Sequence, residues 1–327
     1  MPSQDHAQAY TALESRYLWV YHMLNNGKQA GGVTTPMKYS LGIFILLTLS
    51  GSSLRAQTAD TTRLLDEISF YADVMVNASA DQHRSRANEN LSKAMDSLLS
   101  IPDSYNIRLD SIKWLAVLHG DGFRIVTWQW KVNNDEYKYG GFIQWPDRLV
   151  TLKDSRPFIN GSSYNTYTAN AWYGALYYQI IPFDREGKKY YILLGFNAEN
   201  SQFNTKVADV LDLSSKDIKF GLPVFIGNEE PMTRILVSYA DVSTVHIRYD
   251  KDFGGIIYDH VENLMGVGAN GESMPVADGS LEGWKLQDGD WVYEEKVFDI
   301  KMDTPPMTDE RKDKKEDKDI LGRPKKQ

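Results

Sequence analysis

The spacing of apolar residues changes near residue 104 and divides the sequence into a helical part and a β-rich part. Over residues 61–80, apolar side chains recur every three or four positions, as they do on one face of a helix. A second stripe, over residues 81–99, consists of Ala87, Leu91, Ala94, Met95 and Leu98. Asp60 or Thr61 is the predicted N-cap of the first helix and Asp81 that of the second. These patterns predict a helical hairpin.

From residue 105 onward, apolar and polar residues alternate, which is typical of half-buried strands. Short polar turns such as residues 133–136 join consecutive runs, so neighbouring strands are predicted to pair antiparallel. The predicted fold is α+β and mainly β, with an N-terminal helical hairpin followed by a predominantly antiparallel β-meander. We expect a sandwich or a curved open sheet, with a small β-propeller as the alternative.

Residues 37–57 have the pattern of a secretion signal. Lys38 is the positive charge, residues 41–49 are almost all apolar, and residues 50–56 are small and polar before a cleavage point at Gln57. Met37 is therefore the predicted start of translation. The competing interpretation is an uncleaved membrane anchor, but the apolar stretch is shorter than the ~18–20 residues that span a bilayer.

Five regions are predicted along the chain: a leader outside the mature protein (1–36), a signal peptide (37–56), a helical segment (57–103), an antiparallel β domain (104–299) and a disordered charged tail (300–327). In the tail, lysine alternates with aspartate and glutamate, and few residues are apolar. Such a segment cannot bury enough surface to order itself.

The composition narrows the compartment and the partners. The chain has 36 Lys and Arg against 44 Asp and Glu, for a net charge of −8, and it has no cysteine. Nucleic acid and anionic membrane surfaces favour basic patches, so neither is a predicted partner. The lack of cysteine excludes disulfides and thiolate metal sites. We expect a protein that is secreted, periplasmic or associated with the cell surface, without a transmembrane span after signal cleavage.

Two short motifs resemble known nucleotide sites, and neither has the required context. Residues 266–271 match Gly-x-Gly-x-x-Gly, but Pro275 and further turn residues follow in place of a helix. Asp252-Phe253-Gly254 copies a kinase tripeptide without the other kinase motifs. No cofactor is predicted.

His246 and His260 lie on strands that flank one turn and are weak candidates for a metal or acid/base site. If Tyr249 pairs with Ile256, His246 lies opposite Asp259, whereas a slip of one residue places the two histidines opposite each other. Neither register supplies a third ligand from this hairpin, and zinc sites usually have three or four. A hydrogen-bonded structural role is the favoured interpretation, and no metal is predicted.

Aromatic residues are dense in the β-rich part. Exposed rings could stack on sugars, whereas buried rings would only fill the core. The tryptophans concerned are Trp128, Trp130, Trp145, Trp172, Trp284 and Trp291. The long polar loop over residues 154–171 is the favoured place for a site. The candidate ligand-binding residues are Tyr164, Tyr167, Trp172 and Tyr173.

Several segments also resemble a family of uncharacterised secreted, β-rich Gram-negative bacterial proteins with an N-terminal signal peptide. They are Gly140-Gly141-Phe142-Ile143-Gln144, Tyr173-Gly174-Ala175-Leu176-Tyr177-Tyr178, Tyr190-Tyr191-Ile192-Leu193-Leu194-Gly195-Phe196, Val276-Ala277-Asp278-Gly279-Ser280 and Trp291-Val292-Tyr293. The resemblance implies an exported protein with a helical segment before a β domain. The family has no established activity, so no residue acquires a role from it.

Two functions are expected from the sequence. The first is an exported non-catalytic envelope or secreted protein that binds a glycan, a peptide or a protein partner. The alternative is a secreted hydrolase whose site is assembled only in three dimensions.

Overall fold

A computed structural model describes residues 59–155, 162–268, 271–295 and 297. The predicted leader, the predicted signal peptide and the predicted tail lie outside these residues and stay predictions. The described residues from Thr61 onward belong to one compact unit. Within the described part of the chain, no helix has both the length and the apolar character needed to cross a membrane.

Two helices open the described part, as the periodic stripes predict. Helix α1 comprises residues 59–77 and helix α2 comprises Asp81–Leu99. Ile68 and Met75 of α1 and Leu91 and Met95 of α2 are completely buried. The predicted stripes are therefore the packed faces of the two helices.

The predicted N-caps are wrong. Asp60 and Thr61 already lie inside α1, and Asp81 is the first helical residue of α2, not its cap. Asp81 pairs instead with the buried Arg84, whose guanidinium also donates to two backbone carbonyls between the helices. An arginine thus satisfies the backbone acceptors at this corner, where carbonyl groups at a helix end need a partner.

Three sheets follow, formed by 15 strands of the described residues. The four-stranded sheet contains, in order, β1 (Ala116–His119), β2 (Arg124–Lys131), β3 (Tyr137–Gln144) and β4 (Leu149–Lys153). The six-stranded sheet contains β5 (Tyr167–Thr168), β6 (Leu176–Arg185), β7 (Lys188–Ala198), β8 (Phe203–Asp212), β9 (Lys219–Phe220) and β11 (Arg234–Ala240). The five-stranded sheet contains β10 (Phe225–Ile226), β12 (Ile247–Asp250), β13 (Gly255–Leu264), β14 (Met274–Gln287) and β15 (Asp290–Glu294).

The pairing of the strands confirms a predominantly antiparallel fold. Among the named strands, β10 and β15 form the single parallel pair. In the six-stranded sheet the order is β5-β9-β8-β7-β6, and β11 pairs with β8 beside β9. The alternating pattern predicts a strand over residues 282–286, whereas β14 begins at Met274, because residues 274–277 also pair with β13.

The helices and the sheets stack as four layers. One face of the four-stranded sheet packs on the helices through Trp128, and the other packs on the six-stranded sheet through Ile143. The six-stranded sheet is buried on both faces, because Leu193 of β7 faces the four-stranded sheet and Leu194 faces the five-stranded sheet. Burial on both faces explains the continuous apolar run of β7. The stacking has the form of the predicted sandwich, not of a propeller.

A fully buried ion pair lies inside the six-stranded sheet. Asp209 of β8 and Arg234 of β11 are cross-strand partners, with Arg234 Nη2 3.0 Å from the carboxylate of Asp209. Tyr177 Oη donates to the same carboxylate at 3.2 Å, and Trp172 Nε1 donates to Tyr177 Oη at 3.0 Å. Burial raises the pKa of Asp209, and the arginine opposes this rise. Arg234 also donates to the carbonyl of Phe220, so the pair connects three strands.

Replacing Arg234 with alanine is expected to lower the free energy of unfolding by about 3–5 kcal/mol, because Asp209 would stay buried without its counter-charge. Urea denaturation followed by tryptophan fluorescence measures the change. Lys189→Ala is the control, since it removes the exposed partner of Asp121 and should leave the unfolding midpoint close to wild type. Equal losses in the two variants would contradict a structural role for the buried pair.

Candidate functional site

The four predicted ligand-binding residues differ in exposure. Tyr164 is 43% exposed, whereas Tyr167, Trp172 and Tyr173 are 8%, 0% and 5% exposed. Two of the buried rings surround Arg234, whose guanidinium lies 4.5 Å from the ring centroid of Tyr167 and 5.8 Å from that of Tyr173. The three buried residues are thus packed in the core, and Tyr164 is the one of the four that lines an open cleft.

Most of the six tryptophans considered for sugar stacking are buried. Trp128, Trp172, Trp284 and Trp291 have almost no exposed surface, whereas Trp130 and Trp145 are partly buried. The density of aromatic residues therefore reflects the packing of three sheets, and by itself it does not support glycan binding.

The hairpin that carries the two histidines has the first of the two predicted registers, with Tyr249 opposite Ile256. In this register the ring of His246 contacts Asp259, with Nδ1 3.0 Å from the carboxylate. His260 instead contacts a residue of the next strand, so the two histidines belong to separate pairs. Within the described residues, no group of three or more histidines and carboxylates is placed to hold a metal ion.

The partner of His260 is Glu282, and strand β14 builds the site around this pair. Glu282 and Trp284 are two residues apart on β14 and therefore share one face of the sheet. Tyr258 of β13 lies opposite Glu282, and Tyr293 of β15 lies opposite Trp284. These side chains are on the face that packs against the six-stranded sheet.

A β-bulge beside His260 interrupts the pairing of β13 with β14. The register shifts between Asp259 and Val261, where three residues of β14 oppose His260 alone. In the bulge, Gly279 has φ +90°, and both the backbone N and the hydroxyl of Ser280 donate to the carboxylate of the adjacent Asp278. A bulge bends its strand and increases the local twist. His260 thus leaves the regular ladder at the point where its Nδ1 contacts Glu282.

Two adjoining clefts open around Glu282, between the five-stranded and the six-stranded sheets. Their volumes are about 320 and 360 Å³. We call the combined space the Glu282 cleft. Met232, Tyr258, Glu282 and Trp284 line both parts; Tyr164, Glu229, Glu230 and Tyr293 line the first part, and His260 lines the second. Residues 235–238 of β11 form the opposite wall of the second part.

The cleft contains one carboxylate that is largely shielded from solvent. The side chain of Glu282 is 13% exposed and that of His260 is 36% exposed. Burial, and after it hydrogen bonding with Glu282 and the charge of Glu282, raise the pKa of the Tyr258 and Tyr293 phenols, so both are neutral at physiological pH. The cleft can therefore offer a fixed acceptor, hydroxyl donors and aromatic walls to a ligand.

Trp284 contributes a further polar group. Its Nε1 is buried and has no hydrogen-bond partner among the described residues; the Tyr258 hydroxyl is close enough to interact but lacks hydrogen-bond geometry. Its ring packs against Tyr293, with centroids 5.1 Å apart and planes inclined by 52°. The indole is therefore held in one position and forms part of the cleft wall.

A third cleft lies between α1 and the four-stranded sheet and has a volume of about 480 Å³. Trp114, Trp130, Tyr137 and Leu176 are among its lining residues, and Lys131 is the charged one. Its walls are mostly apolar, whereas the Glu282 cleft combines apolar walls with several oriented polar groups. A combination of this kind is typical of ligand sites, so we take the Glu282 cleft as the candidate site.

The residues predicted from the sequence do not include Glu282, Tyr258 and Tyr293, although the sequence contains a signal for Glu282. Most carboxylates of the β-rich part lie in turns, whereas Glu282 lies inside a predicted strand two residues from Trp284. The pairing that brings β13, β14 and β15 together is not visible in the local pattern. Without that pairing, the sequence does not indicate that His260 and Glu282, which are 22 residues apart, are in contact.

Comparison with known proteins gives no match to a protein family, to a curated protein or to a solved structure. The resemblance to uncharacterised secreted proteins therefore stays a prediction, and the function is inferred from the geometry of the cleft.

Mild nitration with tetranitromethane is expected to modify Tyr164 and to spare Tyr167 and Tyr173, because only the first ring is open to solvent. Peptide mapping by mass spectrometry gives the modified positions. The same reaction in urea is the control and should modify all three residues. Nitration of Tyr167 in the folded protein at a rate similar to that of Tyr164 would contradict the placement of this segment.

Proposed function

We propose that the protein is an exported, non-catalytic binding protein that holds part of a glycan, a peptide or a protein partner in the Glu282 cleft. The observation that carries the proposal is the largely buried Glu282 carboxylate, which His260 contacts in a space lined by aromatic rings. Ligand sites typically combine apolar walls with a few well-placed polar groups. This arrangement supports recognition of a ligand with both a polar and an apolar side.

The proposed compartment is the periplasm, the cell surface or the exterior of a Gram-negative cell. The signal-like pattern over residues 37–56 and the lack of cysteine support it. The net charge of −8 supports a partner other than nucleic acid or an anionic membrane surface.

A hydrolase is the second candidate, and the contact between His260 Nδ1 and Glu282 favours it. A carboxylate that orients an imidazole leaves the second ring nitrogen available as a general base. Hydrolysis would also require a group that stabilises the developing charge on the substrate. Binding requires only the groups that already line the cleft, so it ranks first.

The binding proposal is tested by calorimetric titration with methyl β-glucoside, N-acetylglucosamine, Ala-Ala and Gly-Lys. At least one of these probes is expected to bind the wild-type protein. Glu282→Gln should weaken that binding by about tenfold or more, because a hydrogen bond to a charged group contributes ~1.5–3 kcal/mol. Glu136→Gln is the matched control, because this half-exposed residue lies in the β2–β3 connection, outside the cleft.

The outcomes separate the two candidate functions. Binding that is lost in Glu282→Gln and kept in Glu136→Gln supports the cleft as the binding site. Cleavage of a bound probe that disappears in His260→Gln would favour the hydrolase. If no probe binds, or if Glu282→Gln binds as well as wild type, the proposed site is wrong.

A further inference from the structure

The Glu282 cleft carries a negative charge. Its described lining residues include Glu229, Glu230 and Glu282 but neither lysine nor arginine. The basic side chain among them is His260, which contacts Glu282. Even with His260 protonated, the lining keeps an excess of negative charge. A field of this sign attracts cations and repels anions.

Four aromatic rings line the same space. They belong to Tyr164, Tyr258, Trp284 and Tyr293. The inclination of 52° between Trp284 and Tyr293 makes a corner instead of a flat stack. Phe225 packs edge to face on Trp284, at a centroid distance of 5.5 Å, and holds the indole in place. Aromatic faces carry negative potential and attract a cation within about 6 Å of the ring centroid.

The arrangement suits an organic cation better than a metal ion. Calcium and magnesium require about six or more oxygen ligands around one point. Within the described residues, the carboxylates do not converge into a group that could hold a metal. Glu229 and Glu230 are exposed at the rim, whereas Glu282 is in the wall, so the charge extends along the cleft. An ammonium group with attached carbon can contact both the carboxylates and the rings.

We infer that the Glu282 cleft recognises an organic ammonium group, with Glu282 as its counter-charge and the accessible rings of Tyr164 and Tyr293 as its contact surface. This inference rests on the proposed binding function and makes its ligand class more specific. A peptide with a lysine side chain or a sugar with a free amine has the required chemistry. A neutral sugar does not.

The probes for this inference are choline and 3,3-dimethylbutan-1-ol, which has the same shape with carbon in place of the charged nitrogen. Calorimetric titration of the full chain is carried out at one ionic strength, set with sodium chloride. Choline is expected to bind roughly tenfold or more tightly than its neutral isostere, because the isostere lacks both the ion pair and the cation–π contact.

Three variants identify the groups responsible. Glu282→Gln should weaken choline binding by about tenfold and change the binding of the isostere little. Tyr293→Phe keeps the ring and should keep choline binding, whereas Tyr293→Leu should lose most of it. Glu136→Gln is the control and should bind both probes as wild type does. Thermal denaturation of each variant separates loss of binding from loss of folding.

Failure of this inference can be told apart from failure of the proposed function. Equal affinity for the two probes, with both weakened by Tyr293→Leu, would overturn recognition of ammonium and leave the cleft as a binding site. A lack of choline binding would overturn it as well, while the two neutral sugars, which carry no ammonium group, decide separately on the cleft. Choline binding that no cleft variant alters would overturn both.

Discussion

The ion pair between Asp209 and Arg234 is the constraint on which the centre of the molecule depends. Both charges are buried, so each needs the other as well as further hydrogen bonds. Their pairing fixes the register of β11 on β8. Arg234 also donates to the backbone carbonyl of Phe220, and this hydrogen bond connects β9 to the same ion pair. This register places Ile235 and Val237 on the face toward the five-stranded sheet, and residues 235–238 form one wall of the Glu282 cleft. The buried ion pair on one face of the six-stranded sheet thus helps to position a candidate ligand site on the other face.

The elements with strong local periodicity could be predicted from the sequence. The predicted second helix has the same bounds as α2, because its apolar stripe repeats without interruption from Ala87 to Leu98. Strand β14 could not be predicted over its full length, since Pro275 and Gly279 indicate a turn. Pairing with β13 outweighs that local preference and accommodates the glycine in a bulge. The same limit applies at the helix corner, where Asp81 pairs with Arg84 instead of capping α2.

The candidate site could be predicted less well from the sequence. It depends on which side chains are exposed and on pairing between strands that are far apart in the sequence. Tyr167 and Trp172 belong to a polar, tyrosine-rich segment that is typical of a surface loop, yet both are buried, Tyr167 against Arg234 and Trp172 against Tyr177. Glu282 lies on a strand, whereas most carboxylates of the β-rich part lie in turns. Its importance follows from the side chains that β13 and β15 place beside it. Only the alternation of Glu282 and Trp284 on one strand face was visible beforehand.

Neither face of the six-stranded sheet faces solvent, and this limits which sequence changes the protein can tolerate. Removing either neighbouring sheet would expose an apolar face, either that of Leu193 or that of Leu194. The described layers therefore depend on one another and are expected to unfold together rather than one by one. Substitutions on the outer faces of the helices and of the last sheet meet fewer packing constraints. Sequence divergence should accumulate in these outer layers, while the middle of the stack retains its pattern of large and small side chains.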